Sequence, residues 1–372
     1  MIVEQKKKHP RTVVRSKVLY PSADDICLCD DSTVSSICQD DPFSSLSELT
    51  ELGMKFAPKR LTSLQLSRSY NRLGFTNKAL RVSDCGTFLE FAHSIDCDGS
   101  ISDKGKLHNA NFCRDKLCPM CAWRRSYKIF GQVSQIMSRI GGDYRFVMLT
   151  LTVPNCPPDE LKKIVERIFK AWGKLTRRKP FKSAVNGFFR AFEVTRNKNN
   201  GTYHPHFHCV LAVNKDYAES DLYITRDKWL SMWRKCYGDD SIISLDVRFA
   251  KGKSDDIEDC VSALSSAVAE IAKYAVKSSD YIVDGDDVLT DNIVSCLCDA
   301  LHHRRLSQFG GVFQSVAHEL RLDDSEDGDL VHINDDKIDP SLAYMIVRYG
   351  WSAGAYKLVD TYIKKPESEV IS

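Results

Sequence analysis

Apolar and polar positions along this chain fall into distinct regimes. Residues 1–55 show no apolar period. Aspartate pairs (Asp24-Asp25, Asp30-Asp31, Asp40-Asp41) and serines punctuate them, so the segment reads as a polar N-terminal arm. From residue 56 to 80, Leu61, Leu64, Leu66, Tyr70 and Leu73 alternate with Lys59, Arg60, Arg68, Arg72 and Lys78. This predicts a basic, partly helical segment, either a DNA-facing surface or a plain solvated helix face. A long helix is expected from near Ala122 through Arg139, stopped by Gly141-Gly142. Phe146–Val153 is a β-branched, apolar run that reads as a buried strand ended by Pro154, Pro157 and Pro158. Leu161, Ile164, Val165, Ile168, Phe169 and Trp172 then recur at helical spacing.

Gly187–Val194 predicts a second strand, and Asn197–Gly201 a hairpin turn, with Gly201 able to take positive φ. The chain returns through His204-Pro205-His206-Phe207-His208 into Cys209–Val213. A helix near Thr225–Cys236, a strand near Ile243–Phe249 and a helix over Asp259–Lys277 follow. Asp284–Asp287 interrupts the pattern, Asp323–Asp329 reads as an acidic loop at a domain boundary, and Leu342–Tyr349 and Trp351–Tyr362 read as helical. The order predicts an α+β fold: an antiparallel or mixed sheet with helices packed on it. The expected regions are an arm (1–55), a basic and cysteine-rich segment (56–142), a main domain (143–318) and a C-terminal helical region (319–372).

The 372 residues carry a net charge of only +2, which excludes a uniformly basic nucleic-acid coat but not a local basic groove. No apolar run has membrane-spanning length, and the polar, basic start lacks a signal-peptide core. The fourteen cysteines are too sparse for a secreted disulfide framework; free thiols plus one metal cluster in a reducing cytoplasm fit better. Cys113, Cys118 and Cys121 have zinc-ligand spacing, and Cys85, backed by Gly86 for a tight turn, is the fourth candidate, with Cys97, His93 and His108 as rivals. Four protein ligands make such a Zn2+ structural. Arg124 and Arg125, directly after the cluster, either reach phosphates or lie on the solvated side of the helix.

Strand alternation puts His204, His206 and His208 on one face, a platform for a divalent metal or a plain histidine cluster; Phe207, Val210 and Ala212 are expected on the other side. On the helix over Asp259–Lys277, Glu270, Tyr274 and Lys277 share a face. A tyrosine there becomes a nucleophile when a nearby cation lowers the cost of the phenolate and a metal polarises the phosphate; Glu270 could activate water. Alone, this spacing is also that of ordinary packing.

Taken in order, Phe112–Arg125, Leu149–Asn155, His204–His208, Lys273–Lys277 and Arg304–Phe313 resemble the motif series of rolling-circle plasmid replication initiators (Rep) of the HUH endonuclease superfamily, the type found on small Gram-positive plasmids. The resemblance spans roughly Cys85–Phe313. It implies an HUH-type antiparallel sheet and an enzyme that nicks one strand at the double-strand origin, forms a 5′-phosphotyrosine link through Tyr274 and transfers the strand at termination, with Glu270 in place of a second tyrosine. His206 and His208 match the metal-ligand positions. Glu193 is the expected third ligand, with Asn197 or His204 as substitutes, and Mg2+ or Mn2+ the working ion. Arg124, Arg125, Arg196, Arg304 and Arg305 are the expected DNA contacts. Plasmid origin DNA, host helicase and polymerase are the implied partners, and no membrane. Two other functions share these motifs: a non-catalytic zinc-containing DNA-binding protein, and an HUH transposase or relaxase.

Overall fold

A computed structural model of the protein describes residues 52–96, 98–250, 268, 275–333 and 337–366. Residues 1–51 of the expected N-terminal arm, Cys97, Glu270 and Tyr274 lie outside the described residues, as does most of the helix expected over Asp259–Lys277.

A short π-helical turn (Leu52–Phe56) leads into helix α1 (Ala57–Arg72), which opens with Pro58 where no backbone donor is needed. Helix α2 (Thr76–Asp84) and strands β1 (Phe88–Ser94) and β2 (Lys106–Ala110) follow. Helix α3 (Pro119–Ile140) begins with proline at its first position and stops at Gly141, as the glycine pair predicts. Then come β3 (Tyr144–Thr152), α4 (Leu161–Leu175), α5 (Lys179–Ala184), β4 (Gly187–Arg196), β5 (Tyr203–Asn214), α6 (Arg226–Tyr237) and β6 (Asp246–Phe249). Helix α7 (Asp287–Ala300), β7 (Ser307–Gly311), α8 (Val312–Glu319), β8 (Tyr344–Ser352) and β9 (Ala355–Lys364) complete the described elements. Among the described residues no helix is long and apolar enough to cross a membrane.

The central sheet has five strands in the order β6-β3-β5-β4-β7, every pair antiparallel. One face is packed by α4. Phe207 meets Phe169 and Trp172 of that helix at ring-centroid distances of 5.1 and 5.8 Å and touches Phe192 of β4 at 5.4 Å. The other face is covered towards one end by α3 and α8, where Phe146 meets Phe313. Strand β5 pairs with β4 without a register shift, so Val210 and Ala212 lie on the histidine side of the sheet, not on the Phe207 side expected for them. They fill the covered end of that face, and the histidines occupy its other end.

A second sheet, β2-β1-β8-β9, corrects the reading of the C-terminal region. Residues expected to be helical form two antiparallel strands, and β1 pairs with β8 along the whole length of β1. Two features of the sequence favour strands. Tyr344–Ser352 is rich in aromatic and β-branched residues, and Ala353 and Gly354 both take positive φ (51° and 85°), the conformation of a two-residue hairpin turn. The C-terminal strands therefore share a sheet with the cysteine-rich segment.

The acidic stretch Asp323–Asp329 is not a loose boundary. It wraps the ammonium of Lys128, which is 4% exposed and donates to Asp323 Oδ2 (2.9 Å) and to the carbonyls of Asp324 (2.6 Å) and Asp329 (3.0 Å). Gln132 adds a bond to the Asp323 carbonyl. A charge this deep is tolerable because every proton it carries meets an oxygen.

Candidate functional site

Two ligand clusters stand out among the described residues: Cys85, Cys113, Cys118 and Cys121, and Glu193, His206 and His208. In each, the donor atoms lie within 4.8 Å of one another.

The cysteine cluster ties together three chain segments. Cys85 caps the end of α2, Cys113 follows β2, and Cys118 and Cys121 sit at the start of α3. Gly86 has φ of +71°, and a Cβ there would meet the Tyr356 hydroxyl at 3.2 Å, so the tight turn after Cys85 needs glycine. Sulfur separations are 3.5 Å (Cys85–Cys121), 3.6 Å (Cys113–Cys121) and 3.6 Å (Cys85–Cys118). Four thiolates at about 2.3 Å from one tetrahedral ion would be about 3.8 Å apart, so the donor set fits a metal of zinc type. Backbone amides of Cys113 and Arg114 point at Cys85 Sγ (3.4 Å) and Cys121 Sγ (3.2 Å), bonds that stabilise thiolate charge. Burial opposes ionisation of Cys118, yet hydrogen bonds from Cys113, Cys121, Cys85 and Ser63 draw it well below the usual thiol range. Cys85 is the fourth member; His93 and His108, its rivals, are not in the cluster.

The second cluster arises from strand register. The Asn197–Gly201 turn closes the β4–β5 hairpin, with Gly201 at φ +72° and its amide bonded to the Asn197 carbonyl at 2.8 Å. That closure sets Arg196 opposite Tyr203, and therefore Glu193 opposite His206. His208, two residues on, shares the face and lies opposite Thr150 of β3. The resulting separations are 3.0 Å (His206 Nε2–His208 Nε2), 3.1 Å (His208 Nε2–Glu193 Oε2) and 3.3 Å (His206 Nε2–Glu193 Oε2). Ligand atoms about 2.1 Å from an ion and at right angles to each other are about 3.0 Å apart, so the triad fits one triangular face of an octahedron and leaves its other three positions open.

The tautomers agree with that fit. His206 Nδ1 faces the His204 carbonyl at 3.0 Å, and a carbonyl only accepts, so Nδ1 carries the proton and Nε2 presents its lone pair. His208 Nδ1 lies 3.3 Å from Thr150 Oγ1. Burial pushes the Glu193 carboxyl up, but its contacts with the imidazoles of His206 and His208 outweigh it and hold the group at about 2. His204 is set apart from the triad: its Nδ1 bonds Asn155 Oδ1 at 2.8 Å. Thr150 and Asn155 belong to the Leu149–Asn155 stretch, but their roles as orienting partners depend on the β3–β5 register, which no local spacing reveals.

The tyrosine segment enters this geometry through its described end. The Ala275 carbonyl accepts from Val194 N at 2.8 Å, and Asp280 Oδ2 accepts from Arg196 N at 3.5 Å. The residues after Tyr274 thus run along the edge of β4, beside Glu193. Lys277 is a correction: it is extended (φ −71°, ψ 138°), not in the helical turn expected for it.

Most of the expected DNA-binding arginines also serve the fold. Arg124 is 5% exposed and donates to the carbonyls of Leu330 (2.8 Å) and Val331 (2.7 Å), which removes it from phosphate contact. Arg125 bonds the carbonyls of Glu326 and Arg114, Arg304 pairs with Glu166 at 3.1 Å, and Arg305 with Asp324 at 2.5 Å. Arg196 is half-buried at the triad end of β4.

Comparison with known proteins agrees with this geometry. A family model described as "Replication protein" matches residues 104–357. The "Protein rep" of a Bacillus species is 38% identical over 271 residues, which is 70% of this chain and 86% of the relative. The "Protein rep" of Bacillus amyloliquefaciens is 37% identical over 304 residues (78% and 86%), and that of Streptococcus pneumoniae 34% over 301 residues (79% and 88%). No solved structure matches the chain. With the match covering the Glu193–His206–His208 triad, the hairpin that builds it and three of the four clustered cysteines (Cys113, Cys118 and Cys121), the chain belongs to the replication protein (Rep) family.

Proposed function

We propose that this protein initiates rolling-circle replication of a plasmid: it nicks one strand at the double-strand origin, holds the 5′ phosphate on Tyr274, and closes the displaced strand at termination. One observation carries the reading. One member of the ligand triad, Glu193, and the backbone anchor of the segment just after Tyr274, Val194, are neighbours on the same strand. Consecutive Cα atoms are about 3.8 Å apart, so the chain at Tyr274 starts from the strand edge that carries Glu193.

Glu193, His206 and His208 are the residues that would hold Mg2+ or Mn2+, which when bound polarises the scissile phosphate and offsets the charge growing on its oxygens. The phenol of Tyr274 loses its proton as its oxygen bonds to phosphorus. The bond from phosphorus to the 3′ oxygen breaks, and that oxygen leaves with the bonding pair and takes up a proton. The freed 3′ hydroxyl is a primer for host polymerase, with host helicase opening the duplex ahead of it. At termination Glu270 accepts a proton from the water that attacks the regenerated origin phosphodiester, and the new 3′ hydroxyl displaces Tyr274 to close the circle. Thr150 orients His208, Asn155 fixes His204, and Arg196 faces the DNA strand at the triad end of β4. The four cysteines would hold Zn2+ with no open position, a structural role. The setting is the cytoplasm.

A labelled single-stranded oligonucleotide carrying the origin tests the reading. With Mn2+ it should give a denaturation-resistant protein–DNA adduct that disappears with chelator and in Tyr274→Phe. Nicking with no adduct would reassign the chemistry to water and Glu270. Neither product with any divalent ion would end the proposal.

A further inference from the structure

A cavity of about 450 Å³ lies between α2, the loop entering α3, the end of α7 and the residues leading into β7. Six cationic side chains line it: Lys78, Arg81, Arg114, Lys116, Arg304 and Arg305, against three carboxylates. The first four are held by uncharged partners. Arg81 donates to the Cys113 carbonyl (2.7 Å), Arg114 to the Asp327 carbonyl (3.3 Å), and Lys116 to the carbonyls of Leu301 (3.3 Å) and Arg304. Lys78 sits 3.8 Å from Cys298 Sγ and over the Tyr70 ring at 5.4 Å. A carbonyl fixes the direction of a cation without neutralising it, so the charge is both oriented and available. Two of the carboxylates are occupied. Asp115 Oδ1 accepts from Tyr70 and from Leu117 N, both at 2.9 Å, and Glu326, 7% exposed, accepts from the amide and hydroxyl of Ser307.

We infer that this cavity is a second DNA contact, a seat for backbone phosphates of the origin strand away from the nick. The inference rests on the nickase reading for its ligand. Position supports DNA over a free anion. Arg304 and Arg305 lead into Leu306, whose carbonyl accepts from Phe192 N at 2.7 Å, one residue from Glu193. Helix α7 packs on α4, which covers the Phe207 face, so the α7 wall of the cavity and the triad lie on opposite sides of one sheet edge. A strand cut at the triad reaches the cavity by passing around that edge. The contacts are to phosphate, so they fix register and affinity and read no sequence.

Lys78 and Arg81 share a face of α2, which makes them the pair to remove. Binding of the full chain to labelled single-stranded and duplex oligonucleotides is measured by anisotropy across a salt series. In the double variant Lys78→Gln, Arg81→Gln, the slope of log affinity against log salt should shrink by about one to two units, because each lost phosphate contact removes about 0.9 unit on duplex and about 0.7 on single strand. The control Lys170→Gln, Lys174→Gln on α4 should keep the wild-type slope. Should the double variant lose metal from the cysteine cluster, Lys78→Gln alone reads the same change at half size. An unchanged slope in a folded variant overturns the inference. Displacement of ATP but not of DNA by the substitutions also overturns it, by making the site one for free nucleotide. Wild-type adduct formation in the same samples separates the two ideas: an adduct with an unchanged slope removes the cavity and leaves the nickase, and a reduced slope with no adduct does the reverse.

Discussion

The two ligand clusters of this protein are built by opposite means. The cysteines come from the ends of three segments and converge on one buried point, with donors enough to close a tetrahedron. The triad comes from the middle of two paired strands, with fewer and harder donors that leave room for a phosphate oxygen. The cysteine cluster holds the chain together; the triad is held by a sheet that folds for other reasons. A closed site is therefore coupled to stability, and an open one to chemistry.

Breaking each cluster should separate these roles. Cys121→Ser is expected to have the largest effect, since a structural zinc supplies folding free energy on the order of 10 kcal/mol. Metal analysis should show zinc lost, and thermal unfolding should lose its cooperative step; retained zinc would refute the closed site. His208→Ala should abolish adduct formation by about a hundredfold or more while leaving zinc content and the unfolding midpoint near wild type. A large drop in that midpoint would show that the triad is structural after all.

Smaller changes sharpen the contrast. Thr150→Val removes the hydroxyl beside His208 Nδ1 and should weaken Mn2+ binding by about tenfold to a hundredfold, read by calorimetry, with little change in fold. The smallest effect concerns acid. Burial tends to raise the Asp324 carboxyl, but the amides of Asp327 and Glu326 and the Arg305 guanidinium hold it at about 2, below its usual 3.8. A depressed acid contributes stability above its unfolded value and loses it as pH falls through the folded one. The unfolding midpoint should therefore fall between pH 3.8 and about 2, and Asp324→Asn should flatten that part of the profile.

Sequence pattern reached the central sheet because its strands are bounded by prolines, glycines and a composition-coded turn. It reached both clusters because metal donors are rare and their spacing is local. It missed α7, although Asp286 caps it and Leu289, Ile293, Val294 and Leu297 repeat at helical spacing, because the acidic run before it looked like a break. It took β8 and β9 for helices because β1, the strand that seats β8 and with it the β8–β9 hairpin, lies some 250 residues away in the chain. It assigned Arg124 to DNA because a basic pair after a cysteine cluster carries no mark of burial. Long-range partners decide these cases, and a one-dimensional pattern does not contain them.

The central claim is that one phosphodiester is engaged by both the Glu193–His206–His208 cluster and Tyr274. Peptide mapping of the protein–DNA adduct by mass spectrometry tests it most directly. The 5′ phosphate should be found on Tyr274, in wild type and not in His208→Ala. A phosphate linked to any other residue, or an equal yield of adduct from His208→Ala in the presence of chelator, would contradict the account.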